Sequence, residues 1–161
     1  MPVLYCTIPY FAAALLQRDH AGLAGLPLVL IGPEERVFGL SVQAAAQGIL
    51  PGMAARTAQI RCPEARLLDA DVAHCRAEFE ALIQLLEEAS PRVEAHGWGS
   101  AYVEMDEVQE QAGAVALCRD VGRTVRQHLG EALQPALGWN SCKFTAQAAA
   151  RRVSPGHLRA V

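Results

Sequence analysis

The chain has 161 residues, enough for one compact domain or for a domain carrying a smaller inserted lobe. With 52% hydrophobic and 19% charged residues, its composition excludes a disordered or low-complexity polymer. A net charge of −3 excludes bulk electrostatic gripping of a nucleic-acid backbone, so any contact with DNA has to be local. Val3 to Ile8 is a short apolar run stopped by Pro9, and Tyr10 to Gln17 then reads as a helix with proline ahead of its first turn. Gly22, Gly25 and Pro27 break the pattern before Leu28–Ile31, a buried strand ended by Gly32-Pro33, and a second strand runs from Val37 to Leu40. Ser41 can cap a helix through Gln47 that stops at Gly48, and a further helix from Met53 to Cys62 is halted by Pro63.

From Val72 onward the apolar residues Val72, Cys75, Phe79, Leu82, Leu86 and Ala89 recur at helical spacing, so a long amphipathic helix is expected to end near Ser90-Pro91. Arg92–Ala95 and Ser100–Met105 read as strands joined by a glycine-bearing turn, the simplest arrangement being a hairpin. Val115, Cys118, Val121, Val125 and Leu129 mark a second long helix, followed by a strand from Pro135 to Trp139 and a last helix from Lys143 to Val153. This order suits an α+β fold, a sheet with helices on one face.

Lys143 is the only lysine, so nearly all positive charge is arginine, which suits bidentate pairing with phosphate or carboxylate. The five cysteines, Cys6, Cys62, Cys75, Cys118 and Cys142, form an odd set without a C-x-x-C pair, which argues against a disulfide framework and a zinc site and reads as buried thiols. His74, His96 and His128 lack ligand spacing. No basic region precedes an apolar stretch, and no segment reaches the ~20 apolar residues that span a bilayer, so no membrane contact and a cytoplasmic protein are expected.

Six segments resemble, in order and spacing, the motifs of Y-family (translesion, UmuC/DinB-like) DNA polymerases. Cys6 to Ala13 is similar to the motif in which an aspartate ends a strand and an aromatic pair opens a helix, and Ser41 to Met53 resembles the fingers motif S-Y-E-A-R-x-x-G-V-x-x-G-M. Cys62-Pro63-Glu64-Ala65 resembles C-P-D/N-A ahead of a strand returning to the palm, and Ser90 to Glu94 resembles S-P-x-V-E. Gly97 to Glu104 resembles S-x-D-E-A-Y-L-D, and Gly138 to Ala146 resembles G-I-x-x-N-K-F-L-A. The resemblance implies a ferredoxin-like polymerase palm over 1–18 and 72–161 with a small fingers lobe, 19–71, inserted into it. It also implies that the thumb and little finger are absent from this chain.

The same resemblance places Thr7, Gly99 and Ser100 where the family carries three metal-holding carboxylates, with Pro9 at an accessory acidic position. Two magnesium ions in phosphoryl transfer need carboxylates held close together, and these residues offer none. Val42 and Ala45 stand where a tyrosine and an arginine would meet the incoming triphosphate, Ala12 stands at the ribose gate beside Tyr10 and Phe11, and a family lysine is replaced by Ser154. The resemblance with these losses implies a vestigial nucleotide pocket of Thr7, Tyr10, Phe11, Ala12, Val42, Ala45, Gly99 and Ser100, without catalytic residues, metal or cofactor. The expected protein is a pseudo-polymerase of the ImuB type, an accessory factor in DNA repair or translesion synthesis.

Its implied partners are DNA, bound weakly by this chain alone, and other translesion-synthesis proteins. Candidate phosphate contacts are Arg56, Arg61, Lys143, Arg151 and Arg152, against the alternative of solvated helix surfaces. A second possibility is a nucleotidyltransferase or cyclase-like enzyme with a relocated metal site at Glu104 and Asp106, which lie two apart on one strand. Tyr102 and Phe144 match family positions and read as core aromatics.

Overall fold

The computed structural model describes residues 2–105 and 111–160. In chain order its elements are β1 (Val3–Thr7), α1 (Phe11–Asp19), β2 (Leu28–Ile31), β3 (Val37–Leu40), α2 (Val42–Ala46), α3 (Ala55–Arg61), β4 (Arg66–Asp69), α4 (Val72–Ala89), β5 (Val93–Ala95), β6 (Ser100–Glu104), α5 (Gln111–Leu129), β7 (Ala136–Asn140), α6 (Lys143–Ala150) and β8 (Leu158–Ala160). They fall into two compact units, Met1–Pro9 with Glu78–Val161, and Tyr10–Ala77. Among the described residues no helix is long and apolar enough to cross a membrane.

The first unit is built on a five-stranded sheet in the order β5-β6-β1-β7-β8. The central strand β1 runs antiparallel to both neighbours, with Tyr5 opposite Tyr102 on one side and Gly138 on the other. Leu4 and Cys6 are fully buried, as a strand paired on both edges and covered on its faces requires. On α5, Ala114, Cys118, Val121, Val125 and Leu129 are buried, a stripe at helical spacing that turns the charged residues outward.

The expectation of helices on one face is corrected at β7. A Cβ added to Gly122 of α5 would lie 3.2 Å from Leu137 Cδ1, whereas a Cβ on the next strand residue, Gly138, would lie 2.1 Å from the Ala146 carbonyl oxygen of α6. Successive strand residues point to opposite faces, so α5 and α6 cover opposite sides of the sheet. The chain then returns through α6 into β8, which pairs parallel with β7. Three residues are too few to show strand alternation, so β8 becomes a strand only through that pairing.

The second unit carries a sheet in the order β3-β2-β4, with β2 antiparallel to β3 and parallel to β4. Val29, Val37, Leu40, Ala44, Ile49, Ala58 and Cys62 form its core. Ser41, 1% exposed, accepts hydrogen bonds from the Ala44 N–H (3.3 Å) and the Leu28 N–H (2.8 Å), and its hydroxyl donates to the Leu26 carbonyl (3.1 Å). It caps α2 and ties that helix to β2. The helix expected from Met53 starts at Ala55, because the Met53 carbonyl accepts from Val37 N–H and Ala54 bridges to Arg36.

Candidate nucleic-acid and nucleotide site

In the first unit the strands place three of the singled-out residues together. Thr7 faces Ser100 across β1 and β6, with Thr7 Oγ1 and Ser100 Oγ 2.7 Å apart. Gly99 precedes Ser100 at φ +74°, and its carbonyl accepts from the Ile8 N–H at 2.8 Å. The left-handed conformation favours glycine there. Two hydroxyls that satisfy one another form a cross-strand pair worth on the order of 1 kcal/mol and present no negative charge. Magnesium prefers carboxylate and phosphate oxygens, so the residues at 7, 99 and 100 do not fit a two-metal centre.

Residues on the same face of the sheet carry a connected polar and aromatic network. The Tyr5 and Tyr102 rings pack at a tilt of 50° with centroids 4.8 Å apart, and His96 packs edge-on against both, at 5.9 Å and 5.1 Å. His96 Nε2 meets Gln147 Nε2 at 3.1 Å, which joins the hairpin to α6. The Lys143 ammonium donates to Glu94 and lies 5.3 Å from the centroid of the Tyr102 ring. The bond to Glu94 raises the Lys143 pKa, and burial, with Tyr5 nearby, raises that of Tyr102. A groove of about 210 Å³ runs beside this network, rimmed by Arg92, Glu94, Glu104 and Lys143. Glu94 entered the sequence reading as a motif position and His96 as a histidine without ligand spacing, whereas Gln147 was not singled out; the hairpin register sets Glu94 opposite Tyr102.

Glu104, the described half of the relocated metal site, pairs with Arg92 at 3.1 Å. It lies four residues along β6 from Ser100, roughly 13 Å in an extended strand. Asp106 lies outside the described residues. Tyr102 is 7% exposed and packs in the core, but Phe144 is 77% exposed, which corrects its reading as a core aromatic. The buried side of α6 is formed by Ala146, Ala149 and Ala150, which lets the helix approach the sheet and leaves Phe144 outside. Arg151 and Arg152 are exposed just past the end of α6. Of the five cysteines, Cys142 is exposed, which corrects the reading of all as buried thiols.

In the second unit Tyr10 sits before α1 at φ 54°, ψ 43°, a left-handed conformation that costs a non-glycine residue on the order of 1 kcal/mol. Phe11 is buried, and Ala12 lies so close to β3 that a Cβ on Gly39 would come within 2.9 Å of Ala12 Cβ. Val42 is exposed on the first turn of α2, whereas Ala45 packs against the core. Arg56 is exposed, and Arg61 donates to the Gly48 carbonyl at 2.9 Å, which gives it a structural task.

The fold and this arrangement of strands define a Y-family DNA polymerase-like domain. DinB from Sulfolobus solfataricus matches with a TM-score of 0.90 at 20% identity, over 100% of this chain and 48% of that one. An insertion ternary complex of Dbh DNA polymerase matches with a TM-score of 0.86, also at 20% identity, over 100% of this chain and 48% of that one. Residues 6–151 match the impB/mucB/samB family, and the chain belongs to that family.

Among curated relatives, DNA polymerase IV 2 of Mycobacterium tuberculosis is 36% identical over 107 residues, 63% of this chain and 31% of that protein. DNA polymerase IV of Listeria monocytogenes is 24% identical over 163 residues, 99% of this chain and 45% of that protein. The chain thus spans a third to a half of the length of the relatives it matches. These relatives correct the expectation of a pseudo-polymerase, since they are named as polymerases and point to an enzyme. The physical reason is that substitutions at 7, 99 and 100 describe those positions alone; they do not fix what other groups supply.

Proposed function

We propose that the chain acts in DNA synthesis past damage, with residues 1–18 and 72–161 as a palm and 19–71 as fingers, binding DNA and other proteins of that process in the cytoplasm. The observation that carries this reading is the family match over residues 6–151, supported by relatives named DNA polymerase IV. DNA would lie along the groove rimmed by Arg92 and Lys143, with Arg151 and Arg152 meeting phosphates. Arg56 on α3 is the corresponding contact on the fingers. Phosphate contacts of this kind fix position without reading sequence.

A chain with net charge −3 binds through few such contacts, so the interaction is weak and salt-sensitive. Fluorescence anisotropy of a labelled primer–template duplex, measured over a salt series, tests the reading. Arg151→Gln with Arg152→Gln should weaken binding and reduce the slope of log K against log salt by about two. Absence of binding at low salt, or an unchanged slope in the double variant, counts against it.

A further inference from the structure

On the other face of the sheet, away from Thr7, Ser100 and Tyr102, a cleft of about 190 Å³ opens between α5 and the β7–β8 edge. Its rim carries Arg119, Arg123 and Arg126 of α5 and His157 of the turn before β8, and its floor includes Cys118 and Leu137. Side-chain alternation fixes the face. Leu137 points to α5, whereas Gly138 meets α6, and α6 packs with Tyr5 and Tyr102. Gly122 lies between the arginines, and a Cβ there would stand 3.2 Å from Leu137 Cδ1, so the glycine lets Leu137 close the floor against α5.

Three guanidinium groups on one helix face gather positive charge in a chain whose overall charge is negative. Arg119 and Arg126 form no ion pair among the described residues. Arg123 pairs with Asp120 at 3.3 Å, but both side chains are over 60% exposed, and such a pair costs little to exchange for a better partner. His157, which lines the cleft, has its Nδ1 3.3 Å from the Pro155 carbonyl.

From Arg119 to Arg126 the helix rises roughly 10 Å, so the three forks can converge on one or two phosphate groups. Arginine suits that task, because its planar donors pair with two phosphate oxygens at once. A cleft of this volume has room for about six waters, enough for a phosphate group with a small organic part and too little for a folded element.

We infer that this cleft is a phosphate-binding site, separate from the groove assigned to DNA above, in which Arg119, Arg123 and Arg126 hold the phosphate oxygens over an apolar floor. The phosphate belongs either to a free phosphate compound or to a nucleic-acid backbone, and two titrations of the whole chain separate the sources. In the first, the ¹⁵N-labelled protein is titrated with inorganic pyrophosphate. Saturable shifts are expected at residues 118–126 and 156–158, and Arg119→Gln with Arg126→Gln should lower the affinity at least about tenfold.

In the second, a single-stranded oligodeoxynucleotide replaces pyrophosphate. Loss of the same shifts in the double variant assigns the phosphate to a nucleic acid, and their absence in both proteins assigns it to a free compound. The substituted residues lie on the helix surface, so an unchanged melting temperature shows that the variant is folded. Non-saturating pyrophosphate shifts, or equal affinity in the folded double variant, overturns the site.

Discussion

At the scale of single residues, the positions that sequence comparison marks as altered have specific roles in this chain. Thr7 and Ser100 are hydrogen-bonded across two strands. Directly opposed side chains lie close enough that carboxylates placed there would share a cation. Manganese should therefore leave the amide signals of Ile8 and Ala101 unbroadened in the native chain at sub-millimolar concentration. In Thr7→Asp with Ser100→Glu, paramagnetic broadening should appear at those amides; localised broadening in the native chain contradicts the reading of this pair.

The cysteines separate just as clearly. Burial pushes the thiols of Cys6 and Cys118 up to about 12 and that of Cys75 up to about 11. The backbone N–H groups of Thr145 and Phe144 lower the pKa of the exposed Cys142. A lower pKa means more thiolate at neutral pH and faster alkylation. Iodoacetamide at pH 7.5, followed by peptide mass spectrometry, should modify Cys142 first, with Cys6 and Cys118 reacting only on unfolding. Equal rates at Cys142 and Cys75 would contradict this ordering.

At the scale of elements, glycine sets how closely helix and strand approach. A Cβ on Gly138 would stand 2.1 Å from the Ala146 oxygen and 2.5 Å from the Ala150 nitrogen, both backbone atoms that cannot move aside. Gly138→Ala should therefore cost at least about 3 kcal/mol or prevent folding, read as a fall in urea midpoint, and an unchanged midpoint would contradict the close packing of α6 on β7.

Much of this level was legible beforehand. The β5–β6 hairpin, the Ser41 cap and most of the α4 and α5 stripes follow from periodicity and side-chain chemistry, but Ala89 is exposed and Ala114 rather than Val115 is buried. The strand β8 was not legible, because its identity comes from pairing with β7. Nor was the side on which α6 lies, because Gly138 was visible only as a motif letter. The polar network shows the same division: Tyr102, Lys143 and Glu94 stood out as motif positions, whereas their meeting, and the part of His96 and Gln147 in it, came only from strand register and helix placement.

At the scale of the whole molecule, family membership and fold agree over nearly the entire chain. The expectation that failed is the step from missing carboxylates to missing activity, which local sequence could not decide. The proposed function has DNA meeting the groove beside Lys143 and the arginines after α6. Its most direct test is amide hydrogen exchange of the chain with and without primer–template DNA. Protection is expected in the β5–β6 hairpin, residues 94–102, and at the end of α6, residues 150–153. DNA-dependent protection absent from both segments, or confined to α5, would contradict the account.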